Sequence, residues 1–128
     1  MSNVEVVQKM YEAFGRSDRV TILDLLDPNV EWVQNDGFPG GGRHFGAEAV
    51  LNNVFAKLKR EWDVWQAPVS EWLDAGEIVV AVGEYRGTYK ATGRSMKAAF
   101  AGLYRVRNGR IVQFRQFTDT ARIVEAVV

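Results

Sequence analysis

Near Trp62 the spacing of apolar residues changes from three or four to two, and this change limits the possible folds more than any other feature of the chain. A period of two is that of a strand with one face buried, whereas a period near 3.6 is that of an amphipathic helix. From Trp62 onward the alternation predicts strands at Trp62 to Leu73, Ile78 to Tyr89, Ser95 to Arg107 and Ile111 to Thr118. Asp74-Ala75-Gly76, Thr92-Gly93 and Asn108-Gly109 separate them as turn signals, Asn-Gly being the strongest short hairpin marker. The expected arrangement is an antiparallel meander.

The first half reads differently. Val4, Val7, Met10, Tyr11 and Phe14 fall on one face of a helix over Val4 to Phe14, which Gly15 can close. Ser17 or Asp18 can cap a second helix carrying Val20, Leu23, Leu25 and Leu26, with Pro28 as its stop. Val30 to Val33 is a short strand, and Asn35 to Gly42, with four glycines and Pro39, is a loop and a candidate lid. Ala47 to Leu58 has helical spacing again through Val50, Leu51, Val54, Phe55 and Leu58. Ala121 to Val128 forms a short helical or extended tail. Helices first and strands later make an α+β fold, and residues 1–128 are expected to form a single domain.

Composition narrows the function classes. Sixteen basic residues balance sixteen acidic ones without clustering, so no footprint for nucleic acid exists. Cysteine is absent, which excludes disulfides and thiolate chemistry, and the charged N-terminus lacks the apolar run of a signal peptide. No apolar stretch approaches the roughly 18 residues of a membrane span. A cytoplasmic protein is expected. His44 has no nearby ligand partner, so neither a metal nor another cofactor is expected. Gly40 to Gly42 lack the lysine and the strand-to-helix setting of a phosphate loop.

The order of elements comes with Val6-Val7-Gln8-x-x-Tyr11-Glu12-Ala13-Phe14, Pro28-x-Val30-Glu31-Trp32, Gly46-x-Glu48-Ala49-Val50, Ala91-Thr92-Gly93, Asn108-Gly109-Arg110-Ile111 and Phe117-Thr118-Asp119-Thr120. Together these resemble the SnoaL-like, ketosteroid isomerase-related branch of the nuclear transport factor 2-like superfamily over nearly the whole chain. The resemblance implies a cystatin-like, cone-shaped fold in which a curved, mostly antiparallel sheet wraps around three N-terminal helices. It also implies an apolar pocket for a small organic ligand.

The family's best-known chemistries do not transfer intact. Ketosteroid isomerisation needs a carboxylate base, a tyrosine donor and a protonated aspartic acid. The resemblance puts Tyr11 at the tyrosine, but Trp32 at the base and Gly102 at the acid. An indole cannot take a proton from carbon, and glycine offers no side-chain donor. Where limonene epoxide hydrolases carry their acids and arginine, this chain has Gln116, Gly83 and Tyr85.

Alternation along the strands predicts an inward face with Gly83, Tyr85, Phe100, Tyr104, Phe114, Gln116 and Thr118. With Phe14, Trp32 and Phe55, the aromatic members of this set are the expected ligand-binding wall. Val80, Val82, Leu103, Arg105 and Arg115 lie on the opposite face, where the resemblance implies a homodimer surface. His44, Tyr11 and Gln116 are the candidate catalytic groups. His44 is either a proton-transfer group at the pocket mouth or a loop histidine. Tyr11 is either a donor to ligand or a packing residue. Gln116 serves either a ligand or a structural bridge, for example to Tyr104. The expected function is acid-base isomerisation, cyclisation or hydrolysis of a small apolar oxygenated molecule, or else non-catalytic binding of such a molecule or a dimerisation domain.

Overall fold

A computed structural model describes the whole chain, Met1–Val128. Helix α1 (Asn3–Gly15) starts at a capping box in which the Ser2 hydroxyl accepts from the Glu5 amide and the Glu5 carboxylate accepts from the Ser2 amide. Its buried face carries Val6, Val7, Met10 and Ala13. The left-handed residue that ends it is Ser17 (φ 56°) rather than Gly15, and the Asp18 amide reaches back to the Ala13 carbonyl. Asp18 then caps helix α2 (Arg19–Leu25) by accepting from the Thr21 amide at 3.1 Å.

Pro28 does not stop that helix. The chain is already extended in strand β1 (Leu26–Gln34), and Pro28 falls within the stretch between Leu26 and Glu31 where the β1 pairing shifts register. A residue without an N–H is tolerated where the ladder is interrupted. A short strand that the glycines had masked, β2 (Gly42–Phe45), pairs with β1 and places His44 opposite Trp32. The third helical run is longer and less regular than its spacing predicts: α3 (Ala47–Val50), a π-helical turn (Leu51–Phe55) and α4 (Ala56–Glu61) follow without a break.

The stretch predicted as one strand from Trp62 to Leu73 is two strands, β3 (Trp62–Gln66) and β4 (Val69–Ala75), separated at Ala67-Pro68. Pro68 cannot donate to a ladder. Both pieces pair antiparallel with β5 (Ile78–Tyr89), at its two ends. β5, β6 (Ser95–Arg107) and β7 (Arg110–Thr118) form the predicted antiparallel run. Asn108 (φ 50°) and Gly109 (φ 77°) make the two-residue hairpin turn that requires two left-handed residues. β1 closes on β7 in parallel, so the sheet is mostly antiparallel rather than a pure meander. Its order is β2-β1-β7-β6-β5-β3, with β4 alongside β5, and it does not close into a barrel. Asp119 caps the last helix, α5 (Thr120–Val127), so the tail is helical.

The concave face of the sheet holds the core against α1 and the α3–α4 run. Gly83 marks how tightly it is folded: a Cβ there would lie 2.2 Å from the Pro68 carbonyl oxygen and 2.9 Å from the Phe100 ring. The β3–β4 break therefore sits directly over a position that only glycine can occupy. None of the helices is long and apolar enough to cross a membrane.

Candidate functional site

A cavity of about 60 Å³ opens between the concave face and the helices. Tyr11 and Phe14 reach it from α1, Trp32 from β1, Phe55 from the π-helical turn, Tyr85 from β5, Tyr104 from β6, and Phe114 and Gln116 from β7. Eight of the residues expected from the sequence are thus brought together. Trp32 is 3% exposed and meets Phe114 at 4.1 Å and Phe55 at 5.3 Å between ring centroids.

Two expected residues are placed elsewhere. Phe100 is buried but does not line the cavity; its ring lies over Gly83 and stacks on Tyr85 at 4.1 Å and 11°. His44 is absent from the lining because Gly42–Phe45 is an edge strand rather than the end of a loop. Its Nε2 is buried without a hydrogen-bond partner. Asp36 is exposed.

Seven further residues line the cavity beyond the expected set, among them Gln34, Phe38 and Trp65. Gln34 continues the inward alternation of Val30 and Trp32 but stands next to the glycine-rich segment, which hid the signal. Phe38 hangs from that segment and is only 5% exposed, edge-on to Trp65 and Tyr85. The loop is ordered around it by hydrogen bonds from the Phe38 amide to the Asn35 carbonyl and from the Gly41 amide to the Phe38 carbonyl. Trp65 joins the wall because β3 ends before Pro68.

The polar groups sit in an uncharged setting, since no Asp, Glu, His, Lys or Arg lines the cavity. The hydroxyls of Tyr11 and Tyr104 share a hydrogen bond of 2.7 Å. The Gln116 amide donates to the Tyr85 hydroxyl at 3.1 Å, and its carbonyl accepts from the Asn35 amide at 3.1 Å. The bridge from Gln116 thus goes to Tyr85, not to Tyr104. Loss of water around the three phenols raises the pKa of Tyr11, Tyr85 and Tyr104 above the ordinary tyrosine value. All three are therefore neutral hydrogen-bond donors at neutral pH and cannot act as bases. No group of three or more His, Cys, Asp or Glu side chains is placed to hold a metal ion.

Comparison with known proteins locates this geometry. A crystal structure of an NTF2-like protein from Burkholderia thailandensis E264 is 36% identical and covers 100% of this chain and 98% of that chain, with a TM-score of 0.94. An NTF2-like protein of unknown function from Burkholderia pseudomallei K96243 is 31% identical over 100% and 99% of the two chains, with a TM-score of 0.89. A protein with a ketosteroid isomerase-like fold from Catenulispora acidiphila DSM 44928 shares the fold at 16% identity, covering 98% and 93%, with a TM-score of 0.83. No curated protein matches significantly. The sequence model of the SnoaL-like domain matches residues 7–114, and with the curved sheet, the helices and these neighbours it establishes that the chain belongs to the SnoaL-like family of NTF2-like proteins.

Proposed function

We propose that the protein binds a small, uncharged, oxygenated organic molecule in the aromatic cavity, working as a cytoplasmic homodimer. The observation that carries this reading is the combination of aromatic walls, no charge and hydroxyls with hydrogen-bonding capacity left over. In the Tyr11–Tyr104 pair one hydroxyl proton bridges and the other is available, and the Tyr85 hydroxyl accepts from Gln116 while its own proton has no acceptor. Such a surface suits carbonyl or ether oxygens on an otherwise apolar body.

The cavity is small. An apolar cavity of about 150 Å³ takes benzene, so 60 Å³ admits a ring only if the wall moves. Phe38 is the element placed to move, because it enters the wall from a glycine-rich loop rather than from the sheet. Phe38→Leu is expected to speed association of the neutral probe N-phenyl-1-naphthylamine by roughly tenfold, equivalent to about 1.4 kcal/mol of barrier. Stopped-flow fluorescence measures it. An unchanged rate would mean that entry does not pass the loop.

A second reading, acid-base catalysis, is favoured by the Tyr11–Tyr104 pair, which can stabilise a developing oxyanion. It lacks a base in the cavity wall. Gln116 could position a water there, and His44 lies outside. Exchange of α-protons of a bound ketone into D₂O, followed by NMR, separates a catalyst from a binder.

The homodimer reading rests on the convex face. Val80, Val82 and Leu103 are only half-buried there, and Leu73 and Phe117 are 44% and 50% exposed. Contiguous apolar surface of this kind marks association. Sedimentation is expected to give twice the 14.4 kDa of one chain, and Leu103→Glu to give the monomer.

A further inference from the structure

Two glutamines stand side by side at one end of the cavity. Val33 of β1 pairs with Arg115 of β7, and Gln34 and Gln116 come next on these parallel strands. Each is 5% exposed and each lines the cavity. Their amides are in opposite situations. The carboxamide of Gln116 is held at both ends, by the Asn35 amide and the Tyr85 hydroxyl. That of Gln34 has no hydrogen-bond partner in the protein, although a side chain so deeply placed normally has one. The one polar side-chain atom sealed from all open space without a partner is Nε2 of His44. Both polar atoms of Gln34 therefore touch open volume, and the open volume beside Gln34 is the cavity and the cleft of about 10 Å³ behind Phe38.

We infer that Gln34 is the residue with which the cavity reads its ligand, selecting an uncharged molecule that carries a hydrogen-bond donor next to a carbonyl acceptor. The inference rests on the ligand-binding reading above. A primary amide presents N–H and C=O side by side on one carbon, so a group that satisfies both at once presents the complementary pair, as a lactam or a hydroxyl beside a carbonyl does. A ligand without the donor leaves the Gln34 carbonyl stripped of water and unpaired, which a site of this kind penalises. A charged ligand meets no compensating charge in the wall. Gln116 is less free than Gln34 for this role, because its carboxamide is already engaged at both ends, by the Asn35 amide and the Tyr85 hydroxyl.

The test uses a matched pair that differs in one donor: quinolin-2-one, and coumarin, in which a ring oxygen replaces the N–H. Titrations of the isotopically labelled protein followed by NMR are expected to show the lactam binding roughly tenfold more tightly than the lactone. The lactam is also expected to shift the side-chain NH₂ resonances of Gln34, and the preference is expected to fall to about twofold or less in Gln34→Leu. Equal affinities in the unmodified protein, or a preference that survives in Gln34→Leu, would overturn the assignment and leave the ligand-binding reading standing. Failure of both compounds to bind would overturn both. Should Gln34→Leu not fold, the preference of the unmodified protein together with the Gln34 resonances decides the matter.

Discussion

Above pH 10 the protein is expected to lose stability at about 4 kcal/mol per pH unit and to unfold in one transition. Burial raises the pKa of Tyr11, Tyr85 and Tyr104 in the folded state, whereas an unfolded tyrosine ionises near 10. A raised folded-state pKa means that the unfolded chain releases its protons first, so stability is fully present below about pH 10 and falls as pH rises beyond it. Each such tyrosine contributes about 1.4 kcal/mol per unit, and three together contribute about 4. Against a total of about 5 to 15 kcal/mol, that slope exhausts the fold within a few units. Tyrosinate absorbance at 295 nm and far-ultraviolet circular dichroism should then rise and collapse together. Tyr85→Phe should reduce the slope by about a third, one phenol of three. Absorbance from the three phenols well ahead of the unfolding would show hydroxyls already in water, and the donor surface proposed for ligand would be an ordinary wet cleft.

The parts of the fold that were legible in the sequence are those where local chemistry and long-range pairing agree. β5 and β6 are long, alternate regularly and end in residues suited to turns, so Ile78–Tyr89 and Ser95–Arg107 could be read directly. β2 was hidden because the glycine-rich segment that runs into it argues for a loop, and pairing with the edge of β1 makes Gly42–Phe45 a strand. The Pro68 break lies between two short segments that are both rich in strand-forming residues, Trp62–Gln66 and Val69–Ala75, so they read as one strand. The parallel pairing of β1 with β7 joins residues more than eighty positions apart, and no local pattern encodes it.

The site divides in the same way. Tyr85, Tyr104, Phe114 and Gln116 followed from alternation once the strands were placed. Phe38 has no periodic context, since its place in the wall depends on how the loop turns over the cavity. Gln34 obeys the alternation of β1 but lies one residue beyond the strand that Val30 to Val33 predicts. Phe100 obeyed the alternation too and is buried as expected, yet a neighbour without a side chain, Gly83, let its ring lie down against Tyr85 instead of facing the cavity. A face can be read from sequence; which of its residues meets empty space depends on the sizes of the others.

Trp32→Ala is expected to cost about 3 to 5 kcal/mol, the usual range for removing a large buried aromatic side chain. Trp32 is 3% exposed and its ring is packed by Phe55, Phe114 and Tyr104 from three different elements, so no single neighbour can relax into the space. Urea unfolding measures the loss, and a cost below about 1.5 kcal/mol would mean that this wall is not close-packed. The vacated volume adjoins the cavity and is lined by aromatic rings, so it should stay dry and accept a flat apolar molecule. Indole is therefore expected to stabilise the variant, by about 2.7 kcal/mol at a hundred times its dissociation constant, and to stabilise the unmodified protein far less. Trp32 stands where the resemblance to ketosteroid isomerases puts the base, and a carboxylate there would face Phe55 and Phe114 without a partner charge in the wall. With an indole at that position the strand contributes an aromatic ring to the cavity wall, and no carboxylate or imidazole lines the cavity to accept a proton from carbon.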